Sequence, residues 1–132
     1  MCPELSAVLR WFVRYVVRYR LNVPDNKPMN KANQPLPFSD LIKSGEPVLV
    51  EFFATWCAPC KALAPTLKHL ADRTGDKLKI VKVDIDRSRA AATKFQIQSV
   101  PTMILFKDGK VVWRQTGVQS IGKLEALVKP YL

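Results

Sequence analysis

The stretch VLVEFFATWCAPCKALAP, residues 48–65, decides the fold because it joins a buried strand to a helix across a closely spaced cysteine pair. The run VLVEFF is almost wholly apolar, as in a central strand covered on both faces. Two residues separate Cys57 from Cys60, so a helix that begins here places them about one turn apart. Their sulfur atoms can then close a small disulfide ring with little movement of the chain.

Cys57 falls at the predicted helix N-terminus, where unpaired N–H groups and the helix dipole favour its thiolate form. Because a thiolate is the nucleophile in disulfide exchange, this placement predicts that Cys57 attacks a disulfide and that Cys60 resolves the mixed disulfide. The alternative interpretation of this cysteine pair is that it forms half of a zinc site. Only Cys2 and His69 remain as further ligands, and neither has ligand spacing, so we expect no metal.

The sequence on either side alternates between strand and helix patterns. Strands are predicted over 47–53, 78–83, 102–106 and 111–116, and helices over 38–43, 59–73, 88–95 and 120–131. The sequence Lys-Asp-Gly-Lys at 107–110 is a tight hairpin signal. This order predicts an α/β fold, with a central mixed β-sheet flanked by helices on both faces.

Residues 38–132 resemble the thioredoxin family. The resemblance is carried by VLVEFFATWCAPCKALAP, VKVDID, SVPTMILFKDGK and the single glycine Gly117. It implies the thioredoxin fold and a protein-disulfide oxidoreductase that reduces substrate disulfides by dithiol–disulfide exchange. On this resemblance Cys57 is the exposed attacking cysteine and Cys60 the resolving one.

Two ionisable residues receive roles from the resemblance. Glu51 matches the buried acid that accepts a proton from the resolving cysteine, and Lys82 matches a buried lysine beneath the cysteines. A carboxyl group in an apolar strand should have a raised pKa, which suits a proton acceptor near neutral pH. The alternative is that Glu51 is a satisfied partner of Lys82 without a chemical role.

The resemblance also implies a surface that receives the substrate. Pro101, in Ser-Val-Pro-Thr, matches a cis-proline that faces the cysteines. A cis bond would leave the Val100 backbone free to pair with an extended substrate segment. The implied apolar surface consists of Trp56, Ala58, Pro59, Val100, Pro101 and Gly117.

The chain departs from the family pattern in several places. Ala58-Pro59 stands where Gly-Pro is usual, a small change that could tune the reduction potential. Glu51 replaces an aspartate and has one more methylene, so its carboxyl group could reach the Cys60 thiol directly or miss it. Phe53 stands where a second tryptophan is common. The usual first strand is missing from the sequence just before residue 38.

Residues 1–21 form a separate segment, which we predict to be an amphipathic helical extension. Arg10, Arg14 and Arg18 would make a cationic ridge opposite a wide apolar arc. Within this segment, residues 5–21 could contact a membrane surface or a partner's groove. They could equally pack on their own domain, or 13–21 could supply the missing strand. Residues 22–37 hold four prolines and four asparagines and are predicted to be a linker.

Composition limits the remaining functions. The chain has 21 Lys+Arg against 11 Asp+Glu, a formal net charge of +10, and three cysteines. Three cysteines are too few for a secreted disulfide scaffold. The positive charge lacks the interleaved aromatic residues of single-strand binders, so we expect no nucleic-acid partner.

The partners and location follow from the resemblance. We expect no bound cofactor, because the Cys57–Cys60 disulfide is itself the redox group and is reduced by NADPH through a thioredoxin reductase. Disulfide-containing proteins are the expected substrates. The absence of a recognisable signal sequence favours the cytoplasm, or a membrane-peripheral place there if residues 5–21 bind a membrane. The alternative function is a membrane-peripheral or partner-docked redox adapter that delivers electrons to one specific protein.

Overall fold

The computed structural model describes residues 38–132, and the predictions for 1–37 lie outside the described residues. These are the amphipathic extension, the linker and the strand at 13–21. The chain divides into two compact units, Met1–Leu41 and Ile42–Leu132. The domain boundaries predicted after residues 21 and 37 stay predictions.

The described residues contain four strands and four α-helices. In chain order they are α1 (Phe38–Ile42), β1 (Val48–Phe53), α2 (Ala58–Thr74), β2 (Lys79–Asp84), α3 (Arg89–Lys94), β3 (Thr102–Lys107), β4 (Lys110–Thr116) and α4 (Ile121–Val128). Each predicted element is present at about its predicted place. The last helix, predicted over 120–131, becomes a 3-10 turn at Lys129–Tyr131, because Pro130 lacks the N–H group that an α-helix interior needs.

The strands form one mixed sheet in the order β2-β1-β3-β4. Strand β1 pairs in parallel with β2 and antiparallel with β3, and β3 and β4 form an antiparallel hairpin. The mixed sheet is as predicted. The first five residues of β1 are buried, which explains why this strand is apolar throughout rather than alternating.

The β3–β4 hairpin turns at Asp108 and Gly109, as predicted. Both residues have positive φ, 52° and 78°, which is the backbone that a tight two-residue hairpin requires and that Asp-Gly adopts readily. The turn is fixed to the chain before β1. The Gly109 N–H donates to the Ile42 carbonyl at 2.9 Å, and Lys107 Nζ donates to the Gly45 carbonyl at 2.6 Å.

Helices cover both faces of the sheet. Helices α2 and α4 lie on one face and are joined by the Arg73–Glu125 ion pair at 2.6 Å. On the other face Phe95, which follows α3, packs against Phe52 and Phe106 with ring centroids 5.8 and 5.3 Å apart. The core between the sheet, α2 and α4 contains Leu49, Leu63, Leu67, Leu70, Leu78, Ile80, Met103, Leu105, Leu124 and Val128.

This core supports a stability prediction at Leu70, which is fully buried in α2. Replacing Leu70 with alanine should lower the free energy of unfolding by about 3 kcal/mol, because it removes apolar contacts and leaves a cavity. Leu132→Ala is the matched control, since Leu132 is 45% exposed, and should change stability by less than about 0.5 kcal/mol. Urea denaturation followed by circular dichroism measures both. Equal losses in the two variants would contradict the assignment of the core.

Candidate active site

The cysteine pair lies at the junction of β1 and α2. Cys57 is the N-cap of α2, with extended backbone angles (φ −87°, ψ 107°), and Cys60 is the third helical residue. The two cysteines form a disulfide with a Cα–Cα distance of 5.3 Å. Pro59, in the first turn, has no N–H group to leave unpaired. The predicted pairing at a helix N-terminus is therefore confirmed.

The two sulfur atoms have different surroundings. The backbone N–H of Cys60 donates to Cys57 Sγ at 3.1 Å. When the disulfide is reduced, this donor and the positive end of the helix stabilise negative charge on Cys57. The asymmetry supports Cys57 as the nucleophile.

The disulfide lies below an exposed rim. Cys57 and Cys60 are only 3% and 4% exposed, so the expectation that Cys57 is exposed is wrong for the oxidised form, whereas Trp56 is 68% exposed. Ala58 and Pro59 are also exposed. These three residues, all predicted to belong to the substrate surface, are thus accessible to another protein.

The segment from Val100 to Pro101 faces the cysteines. The Val100–Pro101 peptide bond is cis, and the Val100 carbonyl oxygen lies 3.7 Å from Cys57 Sγ. Gly117 donates its N–H group to the Pro101 carbonyl at 2.8 Å, and its φ of +83° favours glycine at this position. Pro101 itself is buried, so it adds no exposed apolar area to the predicted substrate surface.

Glu51 and Lys82 are adjacent partners on β1 and β2. Glu51 is fully buried, and Lys82 Nζ lies 3.4 Å from its Oε2. Lys82 was expected to be buried but is 21% exposed, so it is only partly buried. Neither carboxyl oxygen has a hydrogen-bond partner among the described residues. Burial raises the pKa of Glu51, and the charge of Lys82 only partly offsets this. The Lys82 ammonium group also lies 4.9 Å from the Phe53 ring centroid, and Phe53 packs against the cysteines.

Asp86 is a site residue that the sequence analysis missed. Its carboxylate accepts a hydrogen bond from Trp56 Nε1 at 3.0 Å, and its backbone N–H donates to the Asp84 carboxylate at 2.9 Å. Strands β1 and β2 are parallel, so the residues that follow them meet at one edge of the sheet. The Ile85 N–H accordingly donates to the Phe53 carbonyl at 3.0 Å. In the sequence Asp86 is followed directly by Arg87, so it has the appearance of an ordinary surface charge and no local signal marks it.

Within 38–132, no group of three or more His, Cys, Asp or Glu side chains is arranged to hold a metal ion. None of the helices in this range is long and apolar enough to cross a bilayer.

Comparisons with known proteins agree with the geometry of the cysteine site. The sequence profile of the thioredoxin family matches residues 27–130. Thioredoxin C-2 of Corynebacterium nephridii is 44% identical over 90 residues, which are 68% of this chain and 83% of that protein. Mitochondrial thioredoxin 3 of Saccharomyces cerevisiae, solved in its oxidised form, matches with a TM-score of 0.65 at 33% identity over 70% of this chain and 86% of that one.

A further relative is named for two proteins, a thioredoxin reductase and a thioredoxin. It is a bifunctional thioredoxin reductase/thioredoxin of Mycobacterium leprae, 45% identical over 82 residues, which are 62% of this chain and 18% of that protein. The fold, the cysteine pair and the profile match show that this chain belongs to the thioredoxin family. It is a thiol–disulfide oxidoreductase whose redox group is the cysteine pair, a class favoured over the redox adapter.

Proposed function

We propose that the chain is a reductant of protein disulfides in which Cys57 is the nucleophile, Cys60 the resolving cysteine and Glu51 the proton acceptor. The observation that carries this proposal is the hydrogen bond from the Cys60 N–H to Cys57 Sγ at the start of α2. It gives the two chemically identical side chains different thiolate stabilities, as an ordered two-step exchange requires.

The proposed reaction moves two electrons from the protein to the substrate. The Cys57 thiolate attacks one sulfur of a substrate disulfide, the substrate S–S bond breaks, and the departing thiolate takes up a proton. Cys60 then loses its proton, attacks Cys57 Sγ and releases the second substrate sulfur as a thiol. The protein is left with its Cys57–Cys60 disulfide, and the substrate has gained two electrons and two protons.

Glu51 is proposed to receive the proton of Cys60. Its raised pKa makes the carboxyl group a stronger base than an exposed glutamate. The additional methylene relative to aspartate extends its reach. Lys82, 3.4 Å away, limits the rise because it stabilises the charged form.

The substrate is proposed to bind as an extended segment across the exposed rim. Trp56, Ala58 and Pro59 supply apolar contact, and the backbone of Val100 supplies hydrogen bonds beside the disulfide. Pro101 and Gly117 hold that backbone in place through the bond between them. Contacts of this kind depend on the extended backbone conformation of a peptide more than on the identity of its side chains.

The electrons are proposed to come from NADPH through a thioredoxin reductase. The Mycobacterium leprae relative supports this, because its name joins the two proteins in one chain. The proposed location is the cytoplasm, where protein thiols are kept reduced.

The test is a redox titration combined with an activity assay. We expect a reduction potential of about −270 mV, as for a thioredoxin, measured by equilibration with dithiothreitol buffers. The protein should also catalyse reduction of insulin by dithiothreitol, and by NADPH with a bacterial thioredoxin reductase. A potential near about −120 mV, that of a strong oxidant, would overturn the proposed direction of electron transfer.

A further inference from the structure

Arg114, on β4, makes an unusual pair of hydrogen bonds for an exposed side chain. Its Nη1 donates to the Phe95 carbonyl at 2.8 Å and its Nη2 to the Gln96 carbonyl at 2.9 Å. Both acceptors are backbone groups on consecutive residues. The planar guanidinium group therefore spans a short stretch of main chain, in a two-pronged geometry that lysine cannot reproduce.

The stretch that Arg114 holds is the end of α3. Carbonyl groups at a helix C-terminus lack partners within the helix, and a basic side chain can supply them. Gln96 has a φ of 51°, a left-handed conformation in which the chain leaves the helix. Arg114 thus fixes the point at which the segment 97–100 begins.

The other end of this segment is tied to neighbouring residues. Thr102 Oγ1 donates to the Ser99 carbonyl at 2.7 Å, and the Gly117 N–H donates to the Pro101 carbonyl at 2.8 Å. Arg114 and Gly117 belong to β4 and the residue that follows it, so one strand anchors both ends of the segment.

The segment ends at the cysteines, because the Val100 carbonyl lies 3.7 Å from Cys57 Sγ. We propose that Arg114 is a positioning residue for protein substrates: it holds 97–100 so that the Val100 backbone faces Cys57. This inference rests on the proposed function, in which that backbone binds the substrate. Small displacements of positioning groups have large effects on rate.

The test compares two disulfides that differ in whether they carry a peptide backbone. The pre-reduced protein is mixed with insulin or with 5,5′-dithiobis(2-nitrobenzoate), and the second-order rate constant of its oxidation is measured. For Arg114→Met we expect about a tenfold loss toward insulin and less than about a twofold loss toward the small disulfide. Arg114→Lys keeps the charge and one hydrogen-bond donor, and its rate constant should fall about threefold toward insulin but not toward the small disulfide.

Lys110→Met is the control, because it removes the same charge from an exposed position on the same strand. It should leave both rate constants within about twofold of wild type. Thermal unfolding checks that each variant is folded. If Arg114→Met does not fold, the comparison is made with Arg114→Lys instead. Equal losses toward both disulfides, or an insulin loss in the control as large as that of Arg114→Met, would overturn the role of Arg114. Wild-type protein that fails to reduce insulin would overturn the proposed function together with this inference.

Discussion

Cys57→Ser should reduce insulin at least about a thousandfold more slowly than wild type, because a serine hydroxyl is not ionised near neutral pH and cannot form the mixed disulfide. The rate is measured as the turbidity that insulin chains produce when dithiothreitol is the electron source. Cys2→Ser is the matched control and should keep full activity. Substantial activity in Cys57→Ser would show that another group is the nucleophile.

The companion variant Cys60→Ser should behave differently. Its Cys57 can still attack, but the resolving thiol is gone, so the mixed disulfide with the substrate accumulates. Non-reducing electrophoresis should show a covalent adduct that dithiothreitol releases. An adduct formed by Cys57→Ser instead would reverse the order of the two cysteines. Mass spectrometry of adducts captured from cells would identify the natural substrates.

Glu51→Gln should stabilise the protein at pH 8 by roughly 1–3 kcal/mol, because it removes a fully buried carboxylate whose burial cost the ion pair with Lys82 only partly offsets. The folded-state pKa of Glu51 is raised above the unfolded value of 4.5. Protonated Glu51 therefore makes its full contribution to the free energy of unfolding below pH 4.5. This contribution is lost as the pH rises through the raised pKa. The advantage of glutamine should appear over the same range.

Urea denaturation at several pH values between 4 and 8 measures this difference in stability. Glu46→Gln is the control, because Glu46 is an exposed partner of Lys79, and its effect should stay below about 1 kcal/mol. A stability gain from Glu51→Gln that is independent of pH would contradict the raised pKa. If Glu51 accepts the proton of Cys60, Glu51→Gln should also slow release of the mixed disulfide, whereas a purely structural partner of Lys82 would leave that rate unchanged.

The fold was predictable because the hydrophobic pattern and turn chemistry indicate the same elements. The apolar run at 47–53 is β1, and the Asp108-Gly109 turn has the positive φ values that its residues favour. The cis bond before Pro101 followed from the family resemblance and is present. A pairing of Glu51 with Lys82 was the alternative to a role of Glu51 as proton acceptor, and the two charged groups lie 3.4 Å apart.

Other features depended on contacts that a linear pattern does not encode. Asp86 reaches Trp56 across 30 positions of sequence, and Arg114 reaches Phe95 and Gln96 from another strand. Nothing in the local sequence distinguishes either residue from a solvated surface charge. The helix predicted to continue to residue 131 shows a different limit, because the apolar periodicity extends past Pro130 while the α-helix ends at Val128.

The nearly complete burial of both cysteines next to the exposed Trp56 has a consequence for the proposed reduction of protein disulfides. A disulfide must protrude on a pliable loop to reach Cys57 and run alongside Val100. A bridge locked inside a compact native domain has no such freedom, whatever its chemistry. On the proposed mode of binding, the recessed site would select substrates by conformation, and an oxidised protein would become a substrate when part of it loosens.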